Sequence, residues 1–188
     1  DLHRRRHSFP TRRSSDLLTR LRAEQLRDIG PVLSAQSAFT LAQGVETLPY
    51  RMQAHIDNAR EVANWLAQDS RIEFVNWAGL PSHPHYERGL KYLPKGSGSV
   101  FSFSVKGGRE VGRKFIESVD LASHVANIGD AKTLVIHPAS TTHAQLTDQQ
   151  LLDAGVLPGI VRLSVGIEDV EDIIYDIDQA LTKAVEGK

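Results

Sequence analysis

The chain has 188 residues, a formal net charge of −1, 40% apolar and 24% charged residues, and no cysteine. That length accommodates one good core, or one domain with an appendage. Its charge balance argues against nucleic-acid or membrane-surface binding by the whole chain, the missing cysteine removes disulfides and thiol chemistry and suits the cytoplasm, and no apolar run approaches the roughly 20 residues that cross a bilayer.

Residues 1–16 stand apart from the rest. Arg4, Arg5, Arg6, Arg12 and Arg13 outweigh Asp1 and Asp16 there, so the segment carries +3 and the other 172 residues carry −4. It has neither a helical nor a strand period, and it lacks the apolar region of a secretory signal. A disordered basic arm and a nucleic-acid or targeting tail are two readings. The preferred one is a non-native segment: it resembles translated sequencing-adaptor DNA joined to a fragmentary gene, and position 1 is not Met.

From Leu17 the pattern turns helical, with a stop and restart at Arg27-Asp28-Ile29-Gly30-Pro31. Leu41, Val45, Leu48, Met52, Ile56, Ala59, Ala63 and Leu66 step by three or four, the spacing of one face of a long amphipathic helix. Pro49 removes a backbone donor and should kink or divide that helix at a domain junction. A strand is expected at 72–77, then a loop rich in His, Pro, Tyr and Gly from Leu80 to Gly98. Residues 99–105 alternate apolar side chains with serine and read as a second strand. A helix at 109–119, short strands near 123–126 and 133–136, and a helix through Leu152 capped by Thr147 follow. Residues 161–166 form the last strand. Ile167, Val170, Ile174, Ile177, Leu181 and Ala184 then mark a final helix whose first turns are crowded with acids. Strands and helices mixed without strict alternation point to an α+β domain, a small sheet with helices on one face.

Within 161–166 the period of two puts Val161, Leu163 and Val165 on one face and Arg162, Ser164 and Gly166 on the other. The apolar set should meet the helices. The other face should present a cation, a hydroxyl and open space. An arginine in an apolar strand is expensive without a partner, and its planar fork suits a carboxylate. Spacing alone leaves two partners open, a substrate carboxylate or an acidic side chain of the chain itself. His137 with His143, and His83 with His85, lack the cysteine or acidic companions of a zinc site, and no metal is expected. Lys95-Gly96-Ser97-Gly98-Ser99 lacks the order of a phosphate-binding loop and reads as a turn before a strand.

Val161-Arg-Leu-Ser-Val-Gly-Ile-Glu-Asp169 and the 125–143 segment Val-Ala-Asn-Ile-Gly-Asp-Ala-Lys-Thr-Leu-Val-Ile-His-Pro-Ala-Ser-Thr-Thr-His closely resemble the carboxy-terminal domain of the pyridoxal-phosphate enzymes of cysteine and methionine metabolism. The Tyr92-Leu-Pro-Lys-Gly96 stretch resembles the O-acetylhomoserine sulfhydrylase branch of that family, as does Asn at 127 where related lyases have Ser. The resemblance runs from about residue 17 to 187. It implies the fold-type I small domain, with a small mostly antiparallel sheet, preceded by a long interdomain helix. Residues 17–50 would be the end of the cofactor domain and the connecting helix, and 51–188 the small domain.

The resemblance also implies that Arg162 grips the α-carboxylate of an amino-acid substrate, with Asn127, Ile128 and Thr142 beside it. Read without it, Asn127 is a turn residue before Gly129 and Thr142 a loop residue bonded to backbone. The implied reaction is γ-replacement: pyridoxal phosphate serves as electron sink, acetate leaves the γ carbon, and sulfide or a thiol adds. Cystathionine γ-synthase, cystathionine lyase and methionine γ-lyase share these features, and a non-catalytic packing domain is the alternative of another class. The family holds its cofactor on a lysine among small residues in a Ser/Thr-x-x-Lys-like context. None of Lys91, Lys95, Lys106, Lys114, Lys132, Lys183 and Lys188 stands in it, so the catalytic lysine is expected to be absent and the chain alone inactive. Family members are usually tetramers, which implies a homo-oligomer for the complete enzyme.

Overall fold

The computed structural model describes residues 12–187; most of the basic 1–16 segment, and Lys188, lie outside the described residues. The chain divides into two units, Asp1–Thr47 and Leu48–Lys188.

In the first unit, α1 (Arg12–Arg20) starts inside the 1–16 stretch, expected to lack regular structure, and runs on through Leu17 and Leu18, which favour a helix. A π-helical stretch, Leu21–Ile29, continues it. Gly30 closes that stretch at φ 75°, a left-handed conformation that glycine adopts without strain, and its N–H donates to the carbonyls of Gln25 and Leu26. Helix α2 (Ala35–Glu46) is capped by Ser34, whose hydroxyl accepts from the Ser37 N–H at 3.0 Å. Residues 16–47 are all exposed, Leu41 at 59% and Val45 at 62% among them.

The second unit opens with α3 (Leu48–Gln68). The expected break comes at Thr47, and Pro49 sits in the first turn of α3, where its missing N–H costs nothing. The single stripe expected over 41–66 is therefore buried only from His55 onward, through Ile56, Ala59, Val62, Ala63 and Leu66.

Four strands follow: β1 (Ile72–Asn76), β2 (Val100–Val105), β3 (Leu134–Ile136) and β4 (Ile160–Ser164). They form one sheet in the order β1-β2-β4-β3, antiparallel at every junction. Helices α3, α5 (Gly108–Ser118) and α7 (Val170–Glu186) cover one face. Phe101, Phe103, Val105, Val135, Val161 and Leu163 meet Ala63, Leu66, Phe115, Ile177 and Leu181 in the core between them. Phe103 and Phe115 are edge-to-face at 5.6 Å. The fold is thus α+β, a small antiparallel sheet with helices on one face.

Several expectations need correction. Residues 86–92 of the expected loop form helix α4 (Tyr86–Tyr92), bounded by Pro84 and Pro94. The strand near 123–126 shrinks to one bridge between Ser123 and Leu134, because residues 124–128 swing out as an exposed loop. Helix α7 starts at Val170, not Ile167: the Asp169 carboxylate accepts from the Glu171 N–H at 2.9 Å and caps it. Its buried stripe runs through Ile173, Ile177, Ala180, Leu181 and Ala184, with Ile174 half-buried at the edge. Thr147 caps α6 (Asp148–Asp153) in a full capping box with Gln150.

Candidate functional site

Strand β4 lies between β2 and β3, so its backbone is laddered on both sides. Val161 and Leu163 are wholly buried against the helices, and Arg162 emerges on the reverse face opposite Ser102 and Ile136. There it lines a cleft of about 360 Å³ with Asn76, Val100, Ser102, Pro138 and Val156. Among the described residues no carboxylate comes within ion-pair distance (4.0 Å) of the guanidinium, and its one hydrogen bond runs from Nη2 to the Asn127 carbonyl at 3.4 Å. The internal ion pair left open by the spacing is not formed among these residues.

The rest of that face is less open than its pattern implied. Ser164 is buried, and its hydroxyl has no partner among the described residues. Gly166 lies beyond the end of β4 and adjoins no free space. A Cβ there would collide with the Glu168 carboxylate and lie 2.5 Å from both the Ala131 carbonyl oxygen and the Thr133 nitrogen.

Asn127 and Ile128 sit on the exposed loop between Ser123 and Thr133. Asn127 Oδ1 accepts from the Ile128 N–H at 2.9 Å, so the group Arg162 meets is the Asn127 carbonyl. Thr142 belongs to the segment after β3. Arg109 at the start of α5 holds that segment, donating to the Ala139 and Leu146 carbonyls at 2.5 and 2.9 Å and to the Asp148 carboxylate. The Thr142 hydroxyl shares a 2.9 Å hydrogen bond with His143 Nδ1 and has none with Arg162, Asn127 or Ile128. The structure thus brings Arg162 to Asn127, with Ile128 adjacent, while Thr142 makes no hydrogen bond to any of the three.

The sequence pattern did not single out the polar ties behind this loop. Glu168, one of the acids at the start of the final helix, is engaged across the fold: Oε1 accepts from the Thr133 N–H at 2.6 Å and Oε2 from the Thr133 hydroxyl at 2.9 Å. Asn58 on α3 holds the same turn, donating to the Gly166 and Glu168 carbonyls at 3.1 and 2.8 Å. No spacing rule joins residues 58, 133 and 168.

The histidines are engaged elsewhere. His137 is fully buried; Nε2 donates to the Pro158 carbonyl at 2.7 Å and Nδ1 accepts from the Ser140 hydroxyl at 2.9 Å, and burial pushes its pKa below the usual imidazole value. His83 reaches Asn76 Oδ1 through Nε2 at 2.8 Å and accepts the His85 N–H on Nδ1 at 3.1 Å. Among the described residues no cluster of three or more His, Cys, Asp or Glu could hold a metal ion. Lys91, Lys95, Lys106, Lys114, Lys132 and Lys183 are all exposed, and none lines the Arg162 cleft. Lys95-Gly96-Ser97-Gly98 is a turn: Gly96 (φ 124°) packs on Ile56 of α3, and the Gly98 carbonyl accepts from Trp77 Nε1. The cleft therefore presents the Arg162 guanidinium, and none of the described lysines lines it.

A profile described as Cys/Met metabolism PLP-dependent enzyme matches residues 11–182. The chain belongs to that family. Among relatives of this PLP-dependent family, an O-acetyl-L-homoserine sulfhydrylase of Leptospira meyeri is 48% identical over 165 residues, covering 87% of this chain and 37% of that protein. O-acetyl-L-homoserine sulfhydrylase 1 of Thermus thermophilus is 44% identical over 164 residues, 87% of this chain and 39% of the relative. A homocysteine synthase of Schizosaccharomyces pombe is 46% identical over 163 residues, 87% and 38% respectively. A crystal structure of a candidate O-acetylhomoserine (thiol)-lyase from Campylobacter jejuni, carrying a pyridoxyl-lysine monophosphate, superposes with a TM-score of 0.77 at 39% identity. It is covered over 38% of its length by 86% of this chain. The chain thus spans under two fifths of the length of these relatives. The family's cofactor is pyridoxal phosphate. No described helix is long and apolar enough to cross a membrane.

Proposed function

We propose that this chain forms the substrate-carboxylate side of a pyridoxal-phosphate enzyme that converts O-acetylhomoserine and sulfide, or a thiol, to homocysteine or methionine. On this reading residues 17–50 close the cofactor domain, 51–188 form the small domain, and the complete enzyme is a cytoplasmic homo-oligomer. The observation that carries it is Arg162. It is a cation on the face of the sheet opposite α3, α5 and α7, at the edge of a cleft, without an acidic partner among the described residues. The doubly laddered strand fixes the backbone that bears this guanidinium, and its planar fork binds a carboxylate in a preferred orientation and so sets the direction of the substrate's Cα–H bond. Positioning of this kind lowers a barrier by several kcal/mol, of the roughly 7–11 that orientation can supply. Asn127 and Ile128 border the same carboxylate from the neighbouring loop. Thr142, on the segment after β3, completes this set of carboxylate-binding residues.

The cofactor and its lysine belong, on this reading, to residues outside this chain, because the described lysines are exposed and away from the cleft. Pyridoxal phosphate added to the isolated chain should give no absorption band that responds to amino acids; a substrate-sensitive band would overturn that part. In the complete enzyme, Arg162→Ala should raise KM for O-acetylhomoserine by about two orders of magnitude. An unchanged KM would remove Arg162 from the site. Turnover of O-acetylhomoserine with sulfide, compared with cystathionine and with methionine, separates sulfhydrylase from synthase and lyase.

A further inference from the structure

The loop that carries Asn127 and Ile128 is exposed along 124–128, yet its neck is tied at several points. Ser123 N–H donates to the Thr133 carbonyl, Val135 N–H to the Ser123 carbonyl, and Ile167 N–H to the Ala131 carbonyl, each at 2.9 Å. Thr133, with 1% of its surface exposed, is the node. Its backbone N–H and its hydroxyl both donate to the Glu168 carboxylate, and the hydroxyl oxygen accepts the Gly166 N–H at 2.9 Å. Gly166 and Glu168 directly follow the strand that bears Arg162. One short stretch of chain therefore supplies both the cation and the acceptor that fixes the loop facing it.

We infer that Thr133 and Glu168 are positioning residues that set the distance between the 125–131 loop and Arg162, and so the width of the slot into which a substrate carboxylate fits. This rests on the carboxylate reading of Arg162 given above. Three features support it. The two charge-assisted bonds to Glu168 are of the stronger kind. Asn58 fixes the far side of the same turn from α3, so the clamp is referenced to a rigid helix. Gly166 leaves no room for a Cβ, which lets Glu168 close on Thr133. Arg162 meets the loop only through a long 3.4 Å bond to the Asn127 carbonyl, too weak to position the loop by itself.

The test uses the full-length enzyme bearing this sequence and two readouts, the KM for O-acetylhomoserine and the inhibition constant of its desamino analogue 4-acetoxybutanoate. That analogue keeps the carboxylate but lacks the reacting amine. Thr133→Val keeps the branched shape and deletes the hydroxyl, Glu168→Gln keeps the length and deletes the charge, and Thr133→Ser restores the hydroxyl. Both constants should rise about tenfold in Thr133→Val and Glu168→Gln, by more than kcat falls, with Thr133→Ser close to the parent. If both constants stay at parental values in both variants while Arg162→Ala loses binding, the positioning role is wrong and the carboxylate site stands. If the variants lose kcat and thermal stability together and Thr133→Ser does not rescue them, the clamp is merely structural and the inference fails. If Arg162→Ala itself binds the analogue normally, the carboxylate reading falls and the inference with it.

Discussion

The two faces of the four-stranded sheet are built from alternate residues of the same strands and do opposite things. Phe101, Phe103 and Val105 of β2, with Val161 and Leu163 of β4, vanish under three helices. Their neighbours Ser102, Ser104, Arg162 and Ser164 line the reverse side, where the Ser104 hydroxyl donates to Glu73 and the Arg162 guanidinium borders a cleft. Stability and recognition are thereby separated by one position along the chain. Mutational effects should divide in the same way.

The largest loss of stability is expected from Phe103→Ala, which empties a wholly buried site and breaks the ring contact with Phe115; about 3–5 kcal/mol, read from denaturant unfolding. A cost under about 1 kcal/mol would mean that the helix-covered face is not the stabilising one. Next comes a polar group within the helix layer. Asp176 on α7, 3% exposed, accepts the N–H groups of Asp120 and Ala122 at 2.7 and 2.9 Å. Asp176→Ala leaves both donors without a partner and should cost about 2–4 kcal/mol. Asp176→Asn, which keeps one acceptor oxygen, should cost less.

His137, on the helix side of the sheet end against Gly112, sharpens the comparison through pH. Burial holds its pKa below the ordinary 6.5, so the unfolded chain takes up the proton first as pH falls. Its stabilising contribution is therefore complete above about pH 6.5 and is lost progressively below it. The unfolding midpoint should drop from about pH 7.5 to about 5.5 more steeply in the parent than in His137→Gln. Equal slopes would show that the ring is not held neutral. Smallest of all should be the effect of Arg162→Ala on stability, within about 0.5 kcal/mol, since no ion pair among the described residues is lost. A cost of several kcal/mol would make this arginine structural and dissolve the contrast between the faces.

What could be read in advance follows from the range of each signal. The period of two in 161–166 assigned Arg162 to the face opposite α3, α5 and α7 because alternation is local and the neighbouring apolar residues enforce it. The Thr147 cap was legible for the same reason. Long-range demands were not. The stripe through Leu41 and Val45 was expected to continue into the 56–66 core, yet those two residues are exposed and the chain breaks at Thr47. The loop at 124–128 passed for a strand because apolar residues flank it, although Asn127 and Gly129 (φ 76°) turn the backbone. Glu168 matched a helix-terminus rule, but its partner Thr133 is 35 residues away and could not be read from local pattern. Spacing alone also left Asn127 and Thr142 open between loop and site roles.

Strand order has a bearing on how the protein is made. β4 fits between β2 and β3, both of which emerge earlier from the ribosome, so their facing edges have no partner until residues 160–164 are synthesised. The register that aligns Phe101 with Leu163 joins residues about 60 positions apart. Such late, distant pairing slows folding and leaves strand edges open to other chains in the meantime. The strand that carries the arginine is thus also the one that completes the sheet, and a nascent chain stopped short of it has neither a closed fold nor a binding face.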